Sequence, residues 1–296
     1  MLITPELRIA LTGANGQLGA QLVTKLEGRV TLMAYNKTQL DVADKAQVEA
    51  LLAEFSPDII INAAAYTAVD KAEQESELAD AINHSGPEYL ACVADKLNAV
   101  FIHVSTDYVF DGTSAVPYTE ADATNPQSVY GLTKQKGEEA VIRSCKKHII
   151  LRTAWVFCEH GNNFVKTMVR LAQSKPELGV VADQFGGPTY AGDIADAILS
   201  VVSQLDSKND QRWGIYHYSG APYVSWHEFS LRIFEQAKRQ QVLAEVPVVH
   251  AITTAQYPTP AKRPAYSMLD CSKIARDFGV TPSNWLAALN KLTLYK

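Results

Sequence analysis

Three residues in this chain, Thr106, Tyr130 and Lys134, have the types and spacing to move a proton. Tyr130 and Lys134 stand four apart in Val129-Tyr130-Gly131-Leu132-Thr133-Lys134, about one helical turn, so a helix presents both on one face. A free phenol loses its proton near pH 10 and is a poor transfer partner at neutrality. A neighbouring ammonium favours the phenolate and lowers that value. Moving it by about 3 units takes about 4 kcal/mol of differential stabilisation, which two close cations in a dry cleft can supply. Thr106, in Ser105-Thr106-Asp107-Tyr108, adds a hydroxyl that can bond the oxygen receiving the proton. A threonine at a strand end is more often structural, but Tyr130 and Lys134 on the next helix reverse that reading. The set suits the interconversion of a carbonyl and an alcohol.

The first half of the chain supplies the elements to hold these residues. Short apolar runs at 7–11, 30–34, 58–61, 100–104 and 149–152 are continuous rather than alternating, as in parallel strands covered on both faces. Helical periods separate them. Asp44 with Gln47 resembles an N-cap and its reciprocal partner, and Val48, Leu51, Leu52 and Phe55 then fall on one face. This alternation predicts an α/β fold, a doubly wound parallel sheet of Rossmann type with ligands at the carboxyl ends of its strands.

Past residue 155 the pattern is less regular. Helices are expected at 164–172, 194–205, 226–237, 272–278 and 285–292, and a strand at 214–218. The segment 253–264 carries three prolines and cannot be a regular helix. No low-complexity linker separates the halves. The reading is a dinucleotide-binding domain over 1–157, rejoined by 190–220, with 158–189 and 221–296 as a smaller C-terminal substrate-binding lobe packed against it.

Gly13, Gly16 and Gly19 follow the first strand and open a helix that begins near Gln17 and Leu18. Glycines there let the backbone turn and approach a pyrophosphate at the helix N-terminus. The oxidised nicotinamide of such a ligand would be the second cation beside Tyr130. The acidic residue that commonly ends strand two and holds a ribose hydroxyl is missing; Tyr35-Asn36-Lys37 stands there instead. Lys37 either accepts a 2′-phosphate or is a solvated lysine, so NADPH and NADH both remain open. Asp41 suits the adenine amino group and Val42 the ring. Ala63, Ala64 and Ala65, before Tyr66, allow a flat cofactor close to the backbone. Asp70 reads as a helix N-cap, Trp155 as either a core aromatic or a wall for a sugar ring, and His103 and His217 as core histidines.

Composition narrows the class. The chain has 296 residues, 47% hydrophobic and 20% charged, with a net charge of −5, which argues against nucleic-acid partners. No apolar run reaches membrane-spanning length, and the N-terminus lacks a signal-peptide pattern. Four widely spread cysteines read as reduced thiols of a cytoplasmic protein. No metal-ligand spacing appears among the seven histidines, so no metal is expected.

Taken together, TGANGQLG, NAAAYTAVDKAE, STDYVFDG, VYGLTK, RTAWVF with GNNF, QFGGPT and TPAKRP resemble the extended short-chain dehydrogenase/reductases. Within them the match is to the branch that reduces a 4-keto group on a dTDP-linked deoxysugar. The resemblance spans residues 8 to about 285. It implies reduction of dTDP-4-dehydro-L-rhamnose by NADPH or NADH, with Thr106, Tyr130 and Lys134 as the catalytic set. It implies a cofactor lying along Gly16, Gln17, Leu18, Asp41, Val42, Ala65, Tyr66, Thr67, Tyr130 and Lys134. It implies a sugar near Val69, Thr106, Asp107 and Trp155, and Arg263 as a forked donor to the nucleotide diphosphate. Some members are metal-bridged dimers, but Gln21 and Gly192 stand where carboxylates would be sought, so a homodimer is left open without a metal. Two alternatives remain: an epimerase or dehydratase on the same scaffold, and a non-catalytic cofactor-binding regulatory subunit. The first lacks a second carboxylate after Asp107, where Tyr108 stands. The second would not need to keep Tyr130 and Lys134.

Overall fold

The computed structural model describes residues 1–206 and 209–295. Ser207, Lys208 and Lys296, which fall inside the expected domain ranges, lie outside it. Five parallel strands carry the first half: β1 (Arg8–Thr12), β2 (Thr31–Tyr35), β3 (Ile59–Asn62), β4 (Val100–Thr106) and β5 (His148–Thr153). Between them run α1 (Gln17–Leu26), α2 (Lys45–Phe55), α3 (Gly86–Lys96) and α4 (Val129–Ser144). A later strand, Gly214–His217, joins β5, and the sheet order becomes that strand, then β5, β4, β3, β1 and β2. The order reverses around β1, which has β2 on one side and β3 on the other. A crevice therefore opens where β1 and β3 end, as the doubly wound expectation requires.

β3 is buried along its whole length and β4 nearly so, because helices cover both faces. β2 departs from that expectation: it alternates, with Thr31 and Met33 exposed. The reason is its place at the sheet edge, where one face is left to solvent.

One face is packed by α1, by the helix Ala191–Gln204, and by Ile274 and Phe278. The other is packed by α2 and α3 through Val48, Leu52, Phe55, Leu90 and Ala94. Asp44 does cap α2, accepting from the backbone N–H groups of Ala46 and Gln47. The Gln47 side chain does not reciprocate; its Oε1 accepts from the Asp41 N–H at 3.2 Å instead. The arm thus fastens the loop carrying Asp41 rather than closing a capping box.

A separate apolar core lies beyond the sheet, built from Phe157, Val165, Val169, Phe229, Ile233, Trp285 and Leu292. It is formed by the helices Phe164–Ala172 and Trp226–Arg239 and by the parallel strand pair Glu177–Val181 and Val248–Ile252. The helix Ser272–Phe278, grouped by sequence with this lobe, packs Ile274 and Phe278 against the sheet instead. In the proline-rich 253–264 segment the only regular turn is Thr254–Gln256. Among the described residues no helix is long and apolar enough to cross a membrane.

Candidate active site

The crevice at the ends of β1 and β3 is a cleft of about 220 Å³ lined by Gly13, Gly16, Asn36, Lys37, Asp41, Val42, Ala63, Ala64 and Ala65. These nine were all expected there. Asn15, Leu40 and Ile82 also line it and were not. Gly13 sits at φ +75°, and a Cβ on it would lie 2.6 Å from the Ala64 backbone nitrogen, so only glycine lets the two loops approach. Gly16 is the N-cap of α1, whose first turn has neither a capping side chain nor an acidic residue. The free N–H groups and the helix dipole there suit a dinucleotide diphosphate, and the small side chains of 63–65 leave room beside it.

The remaining cofactor candidates act less directly. Leu18 and Gly19 are buried, Leu18 in the core of the sheet. The Gln17 side chain accepts from Asn163 at 3.0 Å, linking the glycine turn to the second lobe. The Tyr66 backbone is clamped at both ends by buried Asn83, whose Oδ1 accepts from its N–H and whose Nδ2 donates to its carbonyl. Asn83 lies in a stretch of π-helix, Ala81–Ser85, an irregularity with no visible sequence signal. Thr67 is exposed and Val69 half-buried.

Catalytic candidates come from β4 and α4. Ser128 caps α4, accepting from the Gly131 N–H at 3.2 Å. A Cβ at Gly131 would meet the Tyr108 carbonyl at 2.2 Å. The absence of one lets the helix settle on the turn after β4, with the Tyr108 and Tyr130 rings edge to face at 5.4 Å. From below, buried Arg152 of β5 donates to both carboxylate oxygens of buried Glu138 at 2.6–3.2 Å, fixing α4 to the sheet.

In the free protein the electrostatics raise the phenol rather than lower it. Burial pushes Tyr130 up to about 12, opposed by its hydrogen bonding with Thr106 and reinforced by Asp107. Lys134 does not point its charge at the phenol. It is buried, its Nζ donates to the Val104 carbonyl at 2.7 Å, and burial pulls it down to about 8 against the pull of Glu138. In the free protein Tyr130 therefore keeps its proton. Thr106 caps the following turn, accepting from the Tyr108 N–H, while its hydroxyl donates to Asp107 Oδ1 at 3.0 Å. Asp107 is itself raised to about 6 by burial, which outweighs its bonds to Ser267 and Thr106. Its Oδ2 has no partner. His103 and His217 are buried in the core, as read, and His103 also reaches Lys134.

On the substrate side two readings change. Asp70 caps nothing; Ala68 precedes its short helix without a side-chain bond. Asp70 instead accepts both arms of Arg263 at 2.9 and 2.8 Å and is lowered chiefly by that pairing. The Arg263 fork expected to face a diphosphate is thus held by a carboxylate 193 residues away in sequence. Trp155 adopts φ +48°, a costly conformation for a bulky residue. Its ring stacks on Trp226 at 3.4 Å and 7°, so one face is already covered. Trp226 was not singled out by sequence.

A family model described as the RmlD substrate binding domain matches residues 7–294. A dTDP-4-dehydrorhamnose reductase of Aggregatibacter actinomycetemcomitans is 49% identical over 290 residues, 97% of this chain and 99% of its own. The solved dTDP-4-dehydrorhamnose reductase of Clostridium acetobutylicum superposes with a TM-score of 0.89 at 39% identity, covering 96% of this chain and 97% of that one. The Bacillus anthracis enzyme, solved in complex with NADP, gives a TM-score of 0.89 at 36% identity over 98% of this chain and 100% of its own. The chain belongs to the dTDP-4-dehydrorhamnose reductase family.

Proposed function

We propose that this chain reduces the 4-keto group of dTDP-4-dehydro-L-rhamnose to give dTDP-L-rhamnose, using NADPH or NADH. The observation that carries the reading is a half-buried, protonated Tyr130 beside Thr106 at the carboxyl end of β4, on the same edge of the sheet as the glycine cleft. Gly13, Gly16, Gln17, Leu18 and Gly19, with Asn36, Lys37, Asp41, Val42, Ala63, Ala64, Ala65, Tyr66 and Thr67, form the cofactor-binding set. When bound, the reduced nicotinamide supplies a hydride to the carbonyl carbon.

The side chains of this protein handle the oxygen. Tyr130, holding its proton at neutral pH, gives it to the developing alkoxide, a stronger base than the phenolate left behind. Thr106 steadies that oxygen by a hydrogen bond. Lys134, one turn along α4, compensates the phenolate charge after transfer. Asp107 offers its unpartnered Oδ2 to a sugar hydroxyl. Val69 and the free face of Trp155 bound the sugar, and Arg263 exchanges Asp70 for the diphosphate. The division into 1–157 with 190–220, against 158–189 with 221–296, belongs to the same proposal: the second lobe carries Arg263 and Trp226 over the site. The four free thiols of the whole chain, three of them buried, support a reducing, cytoplasmic setting.

The test is oxidation of NADPH and of NADH by purified protein with dTDP-4-dehydro-L-rhamnose. Consumption of either coenzyme with formation of dTDP-L-rhamnose is the expected result. Absence of both, with dinucleotide still bound, overturns the reading.

A further inference from the structure

Beneath Lys134 lies a buried polar chain whose donors and acceptors can be counted. Asn62, at the end of β3, accepts on Oδ1 from the Ala64 backbone N–H at 3.1 Å and from the Thr12 hydroxyl at 2.7 Å. A backbone N–H can only donate, so the amide orientation is fixed and Nδ2 faces outward as a donor. Nδ2 lies 3.0 Å from His103 Nδ1, which must therefore be the bare nitrogen. His103 is fully buried, and burial, the largest cause, holds it well below the ordinary histidine range. It is neutral, and its one ring proton sits on Nε2.

That Nε2 lies 3.3 Å from Lys134 Nζ. An ammonium would turn only N–H groups toward an N–H. A neutral amine has a lone pair to receive it, and keeps hydrogens for the Val104 carbonyl at 2.7 Å. We infer that His103 is a positioning residue for Lys134: locked by Asn62 as the Nε2–H tautomer, it places a hydrogen where the ammonium would need an acceptor and so favours the neutral amine.

Other charges facing Lys134 do not reverse this. Glu138, one turn further along α4, favours the ammonium but is engaged by Arg152 from β5. Tyr130 lies one turn back, protonated, and Asp107 stands past the end of β4. The consequence for turnover, which rests on the proposed reduction, is a lysine that parts easily with a proton. Lys134 compensates the Tyr130 phenolate only while it carries its ammonium proton, so loss of that proton sets the alkaline limb of turnover.

The direct test needs no turnover, so it fails independently of the reductase reading. A long-range ¹H–¹⁵N spectrum of ¹⁵N-histidine-labelled wild-type protein with NADP⁺ bound, at neutral pH, reads the tautomer of His103, assigned by its proximity to the Phe101 ring, 6.1 Å between centroids. A protonated Nε2 with a bare Nδ1 is expected; an Nδ1–H tautomer or an imidazolium overturns the inference. A second arm compares pH profiles of kcat/KM. H103L removes the ring proton and H103Q can turn an amide oxygen to Lys134, so in both the alkaline limb should move up by about one pH unit, a tenfold change in proton affinity. A profile that stays in place in either folded variant also overturns it.

Discussion

The dinucleotide cleft and the reaction end lie on one edge of the same sheet, yet they are built on opposite principles. The cleft is made from backbone and small side chains: Gly13, Gly16 and three alanines, with the Asn36 side chain spent on its own turn, accepting from the N–H groups of Thr38 and Gln39. At the reaction end polar groups are buried and left wanting. Among the described residues five buried side-chain oxygens lack a partner, and Ser105, Asp107 and Thr153 lie together at the ends of β4 and β5. Trp155 holds its costly backbone angle nearby. Native interiors satisfy such groups almost everywhere, so a cluster of exceptions marks where a ligand is to complete the bonding. The difference teaches that one half of the site is ready in advance, while the other bears a cost until substrate arrives. Substitutions should therefore separate: in the cleft they weaken cofactor binding, and at the reaction end they slow turnover or even stabilise the free protein.

The sharpest break is Tyr130→Phe. Loss of the proton donor should lower kcat by about a thousandfold or more, in the range set by removing a general acid. Cofactor affinity, measured by fluorescence titration with NADPH, should stay near that of the wild type. A comparable loss in both quantities would mean that Tyr130 belongs to the cleft and that the contrast is false.

Next in size is Asp107→Asn. Asp107 titrates near 6 in the folded protein against about 3.9 in an unfolded chain. The folded state binds the extra proton between those values, so the wild type loses stability as pH rises through that window. The shift corresponds to roughly 2–3 kcal/mol, fully lost above about pH 7. Urea unfolding should find Asp107→Asn more stable than wild type by about that amount at pH 7.5 and nearly equal to it at pH 3.5, while its turnover falls. A pH-independent difference would remove Asp107 from the strained set. On the cleft side, Gly13→Ala introduces both an unfavourable φ and a Cβ against Ala64. It should cost about 1–3 kcal/mol, read as a lower Tm and weaker NADPH binding.

The sequence is a good guide to the cleft for the same reason that the cleft is simple. Glycine and alanine runs at strand ends announce close backbone approach, and Gly13, Gly16, Ala63, Ala64 and Ala65 follow from that rule, while Asn36, Lys37, Asp41 and Val42 follow from their place at and just past the end of β2. Ile82 and Asn83 stay hidden because a π-helical stretch turns them inward, and no periodicity records that. At the reaction end the identities of Thr106, Tyr130 and Lys134 are legible, but their electrostatics are not. Helical spacing puts Lys134 on the face of Tyr130, yet burial and the Val104 carbonyl decide where its charge goes. Likewise Asp70 has the composition of a cap, and only the fold brings Arg263, from far along the chain, into its reach. Long-range pairing and desolvation are properties of three dimensions, and short-range pattern cannot carry them.

The smallest effect tests the one cleft residue whose reading stays divided between two coenzymes. Lys37 is exposed, lines the cleft, and has no ion-pair partner among the described residues. An ammonium meeting a 2′-phosphate in such an exposed place is worth about 1 kcal/mol and weakens with salt. Lys37→Ala should therefore raise KM for NADPH by about fivefold at low ionic strength, with kcat unchanged and KM for NADH unmoved, because NADH has no phosphate there. The NADPH effect should shrink in 0.5 M salt (on the order of a fourfold shorter range of interaction than at low ionic strength). Equal changes for both coenzymes would show that Lys37 shapes the loop rather than reading the phosphate. No change for either would return it to the solvated surface, leaving the cleft to bind through its backbone alone.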